Sequence, residues 1–303
     1  MRTRIKRLLL VIKTTINWQS ALLVWFGLTK QCTVRFRSGH ILSFDRKSWQ
    51  KFLECVYLFH HFPHAKLAGS KLQFTYNSRE LVFNFGKYGF GTVLEIFGGD
   101  PYRDFLEVTN IKGKQVVDIG AAFGDTAISF LLEGAKHVYA IEAFPGYFRL
   151  AEENIKANGF SDSCDILLSA AGGRSGIMTI DHNLAEMFGT GIEKAEIGDE
   201  IPVLTLEEIV ERFNIDSGIL KLDVEGYEYE ILLGTHKDVL RRFSDIVIEY
   251  HYGFEKLEDH LRDAGFSVSH TRPHLVYMPQ LEGEAARNMY VGNIYATLNS
   301  AAN

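Results

Sequence analysis

From about residue 108 onward, short unbroken apolar runs recur along the chain, separated by small-residue turns and by stretches with helical spacing. That is the pattern of buried parallel strands alternating with helices. Val116, Val117 and Ile119 read as a strand with Asp118 at its end, followed by a tight turn, Gly120 to Gly124, and a helix beginning near Asp125. HVYAIE, residues 137–142, reads as a second strand ending in Glu142. A helix over Tyr147 to Asn158, a strand over Asp165 to Ala170 and a short strand over Ile177 to Ile180 follow, then a long glycine-containing loop over 181–200. Thr205 opens the helix TLEEIVERF, and Glu208 completes a capping box. Strands are expected near Ile219 to Val224 and Asp245 to Tyr250, and a helix over Glu255 to Ala264. Three further strands, Phe266 to Ser269, Leu275 to Met278 and Tyr290 to Leu298, are expected to form an antiparallel sheet edge.

The first 107 residues follow other rhythms. A basic start, MRTRIKR, precedes LLLVI and ALLVWFGL, with Lys13, Asn17 and Gln19 between them. Neither run approaches the roughly 20 apolar residues that cross a bilayer. Lys13 and the lack of a small-residue cleavage site argue against a signal peptide. Two readings stay open for residues 1–30: a helix packed on the main domain, or a basic amphipathic helix on an anionic membrane surface. CTVRFRSGHILSF alternates around Ser38-Gly39 as a hairpin does, and Ser48 to Phe62 reads as a helix. In FHHFPH, His60 and His64 mimic a metal-ligand spacing, but Pro63 interrupts the helix that spacing needs, so ordinary half-buried histidines are expected. Lys71 to Phe97 reads as two or three short strands, and GGDPYRDF as a loop. Residues 1–107 are thus expected to form a helical and β-rich extension, and 108–303 the main domain.

Composition narrows this picture. At 303 residues, 46% of them hydrophobic, the chain can bury one sizeable core plus an appendage. Its formal net charge of −6 supplies no basic field for nucleic acid. Cys32, Cys55 and Cys164 are scattered and include no C-x-x-C pair, which fits a reducing, cytoplasmic setting, with a membrane-peripheral one left open by residues 1–30.

The candidate chemistry gathers at strand ends. Gly120 permits a backbone angle denied to other residues and lets a ligand lie against the main chain; Ala121 and Ala122 keep the turn thin, and Gly124 allows helix and strand to pack closely. Asp118 is placed to receive a cationic ligand group or to bond the loop's own amides, and Glu142 to accept both hydroxyls of a ribose. A dinucleotide would want glycines at 120, 122 and 125, where the latter two are Ala122 and Asp125, and an acid in the first helical turn repels phosphate. S-adenosylmethionine has no phosphate and carries a cationic sulfonium and amine, so the acids suit it better. In ILKLDVEGYEYE, Lys221, Asp223 and Glu225 interrupt a core strand, although burying a charge costs several kcal/mol unless it is paired. Either an ion-pair network closes the strand end, or Asp223 emerges at its carboxyl end in the ligand crevice; the second reading is favoured. If DIVIEY lies alongside, Asp223, Glu249 and His251 converge.

Together, DIGAAFG, VYAIEAFP, AEENIKANG, SAAGG, TLEEI, KLDVEGYEYEIL and IVIEYH resemble the FkbM-type family of S-adenosylmethionine-dependent methyltransferases, over roughly residues 108–298. The family often has Asn at the position of Ala122 and Pro at that of Ala143. The resemblance implies an α/β, Rossmann-like class I methyltransferase sheet of seven strands, mostly parallel with the last antiparallel. It implies methyl transfer to a hydroxyl of a sugar, glycolipid or related metabolite; the expectation of no nucleic-acid partner comes from the net charge. Carried over by motif, Asp118, Gly120, Ala121 and Gly124 hold the methionine part of the cofactor and Glu142 its ribose. Ala143, Ser169 and Ala170 flank the adenine, and Asp223 and Glu225 lie beside the sulfonium. Glu249 and His251 match a late acid and histidine, and Asp223 or His251 is expected to take the acceptor's proton. No metal is expected, since carboxylate–histidine clusters also serve as proton relays. A short-chain dehydrogenase, suggested by the spacing of Tyr252 and Lys256, and a non-catalytic membrane-associated adaptor are the rivals.

Overall fold

The computed structural model describes residues 2–99, 109–180, 198–277 and 288–299. The chain divides into two compact units, Met1–Pro101 and Tyr102–Asn303. The loop expected over 181–200 lies mostly outside the described residues, as do Met278 and the domain boundary expected near Val108.

The N-terminal unit begins with helices α1 (Arg2–Thr14) and α2 (Trp18–Trp25), which bury Val11, Ala21 and Val24. Strands β1 (Gln31–Arg35) and β2 (Ile41–Asp45) pair antiparallel with Arg35 opposite Ile41, closing the hairpin over Ser38-Gly39. Helix α3 (Trp49–His61) ends just before Pro63 and buries Phe52, Cys55, Val56, Leu58 and Phe59. A three-stranded antiparallel sheet follows: β3 (Lys66–Ala68), β4 (Lys71–Tyr76) and β5 (Arg79–Asn84). Two of the two or three strands expected over Lys71 to Phe97 form, β4 and β5; a third does not, because after a turn α4 (Gly91–Leu94) runs into a π-helical turn, Glu95–Gly99. The buried Val93, Leu94, Ile96 and Phe97 follow helical spacing, not alternation. No helix among the described residues is long and apolar enough to cross a membrane.

The second unit is built on one mixed sheet. Its strands are β6 (Gln115–Ile119), β7 (His137–Glu142), β8 (Cys164–Leu168), β12 (Gly218–Leu222), β13 (Phe243–Tyr250), β14 (Phe266–His270), β15 (His274–Tyr277) and β16 (Asn288–Leu298). Strands β9 (Ala170–Ala171), β10 (Gly176–Ile180) and β11 (Asp199–Leu204) form a small separate sheet. The main sheet runs β14-β16-β13-β12-β6-β7-β8, with β15 added on β16. Strands β8, β7, β6, β12 and β13 are parallel. Every residue of β12 is buried, as a central strand covered on both faces requires.

The last three strands form the antiparallel edge that the sequence predicts, with β16 lying between β13 and β14 and antiparallel to both. One expectation needs correction. Strand β11 occupies the end of the expected loop; its buried Ile201 and Val203 alternate, but Pro202 between them masks a strand signal. The helices of this unit among the described residues are α5 (Asp125–Leu132), α6 (Pro145–Ala157), α7 (Leu206–Phe213), α8 (Glu228–Gly234), α9 (Lys237–Leu240) and α10 (Glu255–Asp263). The capping box forms as the sequence predicts, with Glu208 N–H donating to Thr205 and Thr205 N–H to Glu208. Strand order reverses between β6 and β12, so the crevice at their carboxyl ends is the ligand position of an open α/β sheet.

Candidate cofactor and catalytic site

The turn after β6 is shaped by backbone crossing. Gly120 has φ +82°, and a Cβ there would lie 1.8 Å from the carbonyl oxygen of Asp223, so only glycine lets the ends of β6 and β12 pass. The sequence pattern alone credits this glycine to ligand approach; a neighbouring carbonyl is what demands it. At Gly124, φ +74°, an added Cβ would meet Ile155 and Ala151 at 3.3 and 3.4 Å, so this glycine closes α5 onto α6, not a helix onto a strand.

Glu142, buried at the end of β7, holds the turn's shape. One carboxylate oxygen accepts the Ala122 N–H and the other the Phe144 N–H, both at 2.8 Å. Ala122 sits in the left-handed region at φ 43°, a strained position that this bond braces. Burial pushes the Glu142 carboxyl up to about 7, against the pull of the two amides.

Asp118 does not face the crevice with a free carboxylate. It is fully buried, accepts the Thr126 hydroxyl at 2.5 Å and lies 3.2 Å from the Lys221 ammonium. Burial pulls the Lys221 ammonium down, but Asp118 and Asp223 outweigh it and hold it above the ordinary lysine range. Burial raises Asp118, with Lys221 and Thr126 opposing. Lys221 also donates to the Gly120 carbonyl at 2.7 Å, so this ion pair pins the glycine turn to β12. Removing one partner of such a pair costs about 3–5 kcal/mol. Both readings offered for the charged strand therefore hold in part: a network closes it, and Asp223, with its side chain 24% exposed, emerges beyond.

Parallel pairing of β12 with β13 brings Asp223, Glu249 and His251 together, with one ligand atom of each within 4.8 Å of the others. That spacing suits a divalent cation, yet the His251 ring is already engaged on both sides. Its Nδ1 lies 3.0 Å from Glu228 and its Nε2 3.2 Å from Glu225. Burial lowers the His251 pKa, but the two carboxylates prevail and push it up to about 12. An imidazolium clamped in this way has no lone pair for an incoming proton. Glu225, at φ 55°, carries backbone strain of about 1–2 kcal/mol to reach this position.

The residue that sequence reasoning missed is Glu228. Fully buried, it accepts the N–H groups of Val224 and Gly226 at 2.9 and 3.1 Å and faces His251 as well. Its signal was a third acid in DVEGYEYE, three positions after Glu225, where a helix begins. Ser169 and Ala170 are buried, and the Ser169 hydroxyl donates to the Pro202 carbonyl at 2.8 Å, which ties β11 to the end of β8 and leaves that hydroxyl a structural duty. Ala121 is buried and Ala143 half-buried.

Asp118, Asp125, Glu142 and Asp223 gather round the turn with Lys221 as the cation among them, a balance that fits a sulfonium and opposes a pyrophosphate. With the antiparallel β16 between β13 and β14, the sheet has the class I fold of the S-adenosylmethionine-dependent methyltransferases, and the all-parallel sheet of a short-chain dehydrogenase is set aside. Residues 118–268 match the methyltransferase FkbM domain, and this unit belongs to that family.

Other likenesses are remote. A 57-residue stretch is 44% identical to protein arginine N-methyltransferase 1.1 of Arabidopsis thaliana, covering 19% of this chain and 14% of that protein. The tRNA m1G37 methyltransferase of M. jannaschii aligns at 15% identity and TM-score 0.43, over 78% of this chain and 59% of that one. A SAM-dependent methyltransferase from Agrobacterium tumefaciens aligns at 11% identity and TM-score 0.42, over 77% and 71%. TrmK of M. capricolum, in complex with S-adenosyl-homocysteine, aligns at 15% identity and TM-score 0.40, over 65% and 66%. Likeness at this distance says nothing of the substrate of this chain.

Proposed function

We propose that the enzyme methylates an oxygen, with a hydroxyl of a sugar, glycolipid or related metabolite as the acceptor, and that Asp223 is its catalytic base. The observation that carries this reading is the carboxylate of Asp223: part-exposed at the carboxyl end of β12, beside the glycine turn and within reach of Glu249, while both ring nitrogens of His251 lie against carboxylates. S-adenosylmethionine supplies an electrophilic methyl group when bound. The turn from Gly120 through Ala121 to Gly124 cradles its amino-acid part, the remaining lone pairs of Glu142 receive the ribose hydroxyls, and Ala143 and Ala170 border the adenine. Asp118 and Ser169 act at one remove, through Lys221 and through the Pro202 carbonyl.

Asp223 accepts the acceptor's hydroxyl proton on a carboxylate oxygen as the oxygen–methyl bond would form and the sulfonium–methyl bond break, the sulfur leaving as the neutral thioether of S-adenosylhomocysteine. His251, locked by Glu225 and Glu228, fixes the DVEG turn that carries Asp223 and supplies positive charge beside Glu249. Alignment accounts for most of the rate, and proton removal adds about 10² to 10⁴-fold. The net charge of −6 disfavours a polyanionic acceptor. The free cysteines suit a reducing compartment such as the cytoplasm.

The test is label transfer from methyl-labelled S-adenosylmethionine into lipid, small polar, protein and nucleic-acid fractions of a cell extract, with wild type and Asp223→Asn. Label in a base-stable ether of the lipid or small polar fraction, lost in a variant that still binds the cofactor, supports the reading. Label in RNA or protein, or full transfer by Asp223→Asn, defeats it.

A further inference from the structure

The N-terminal unit holds a cavity of about 330 Å³ that the methyltransferase chemistry does not use, lined by Lys13, Thr14, Arg37, Ser38, Phe59, His60, Pro63 and His64. Three elements build it. The end of α1 pairs with the chain after β1: Ile16 N–H donates to the Arg35 carbonyl and Arg37 N–H to the Thr14 carbonyl, at 2.8 and 2.9 Å, which sets Lys13 beside Arg37. The hairpin turn is anchored where His40 stacks on Phe59 of α3, with ring centroids 4.4 Å apart, and bonds Ser38 through Nδ1. The break at Pro63 then brings His60 and His64 to the same rim.

The lining holds two fixed positive charges, two imidazoles and, among the described residues, no carboxylate. Neither Lys13 nor Arg37 has an ion-pair partner among the described residues. Cations at helix C termini offset the macrodipole, which accounts for Lys13 on α1 and His60 on α3. It does not account for Arg37 in a hairpin turn or for His64 beyond Pro63. A guanidinium, an ammonium and two imidazoles, on exposed residues that line one hollow, are the donor types that suit a phosphate group, whose oxygens accept from several directions at once. The hollow is large enough to admit part of the molecule to which the phosphate is esterified.

We propose that this cavity binds a phosphate-bearing group, held chiefly by Lys13 and Arg37. Leu9, one helical turn before Lys13, and Ile16, three residues after it, are 51% and 58% exposed, so a lipid phosphate brings apolar chain to surfaces that otherwise face water. The inference does not depend on which acceptor the methyltransferase unit serves.

The experiment uses the full chain and three proteins: wild type, Lys13→Gln with Arg37→Gln, and Leu9→Ser with Ile16→Ser, each checked for an unchanged S-adenosylmethionine affinity. Inorganic phosphate is titrated at constant ionic strength against chloride, followed by the amide and imidazole resonances. Vesicles of phosphatidylcholine with and without phosphatidic acid are then co-sedimented with each protein. Saturable phosphate binding that weakens by about fivefold for each charge removed is the expected result. If the acidic vesicles also capture wild type and lose both variants, the phosphate is lipid-borne; if they capture nothing, it belongs to a soluble phosphorylated compound. No saturable phosphate effect, or binding that Lys13→Gln with Arg37→Gln leaves intact, overturns the proposal.

Discussion

Substituting Gly120 by alanine tests the geometry of the crevice at its tightest point. The added methyl would sit 1.8 Å from the Asp223 carbonyl oxygen, and non-bonded carbons of this kind come no closer than 3.0 Å, so the chain after β12 must retreat by at least 1.2 Å. Alanine at φ +82° also carries about 1–2 kcal/mol of backbone strain. Retreat loosens the turn that Lys221 ties to the Gly120 carbonyl and the Asp223 N–H to the Ile119 carbonyl. A displacement of this size at a reacting group costs about 10²-fold in rate. Gly39→Ala separates the two contributions, since Gly39 has φ +92° and a methyl added there would meet nothing within 4 Å. Urea unfolding should show a loss of about 1 kcal/mol for Gly39→Ala, with cofactor affinity intact. Gly120→Ala should lose about 3 kcal/mol or more, with calorimetric S-adenosylmethionine affinity and label transfer each down by about 10²-fold. Equal stability losses in the two variants, with label transfer retained in Gly120→Ala, would refute the crossing argument.

Three further outcomes are expected. Glu228→Gln leaves the imidazolium of His251 with Glu225 alone and should cost about 3–5 kcal/mol in denaturant unfolding. The raised His251 pKa stabilises the fold fully below its ordinary value of 6.5, and that contribution drains away as pH climbs toward about 12. Wild-type stability should therefore fall with pH over that window, with a shallower slope in Glu228→Gln; identical slopes would show that the clamp is not formed. Cofactor affinity should rise as pH passes through about 7, because ionised Glu142 accepts ribose hydroxyls better, and Glu142→Gln should flatten that profile; a wild-type profile that is already flat would remove Glu142 from the ribose. Dialysis against a chelator should leave label transfer unchanged, because both ring nitrogens of His251 are taken by carboxylates; activity restored only by added Mg²⁺ or Mn²⁺ would assign the Asp223, Glu249 and His251 trio to a metal.

Local chemistry made much of this protein legible from the chain alone. Mostly apolar runs, broken by single charged residues, mark β6, β7, β12 and β13, because strands covered on both faces need no polar alternation. Short-range signals also mark the hairpin at Ser38-Gly39 and the capping box at Thr205. What failed were stretches whose short-range signals conflict: the aromatic run ending at Phe97, which folds as a helix, and β11, split by Pro202. The identity of the acids at the strand ends was visible, and so was the resemblance that groups them. Their partners were not. Asp118 sits 103 residues from Lys221, and Gly120 as far from Asp223. Nothing local says that a carbonyl fills the space beside that glycine, or that His251 is gripped from both sides. Residue type and spacing decided which groups stand at the end of each strand; burial and the order of strands in the sheet decided which of them pair, which carry a proton and which still face the crevice. The reason is physical: ionisation and hydrogen bonding depend on neighbours and on exclusion of water, and both exist only once the sheet has closed.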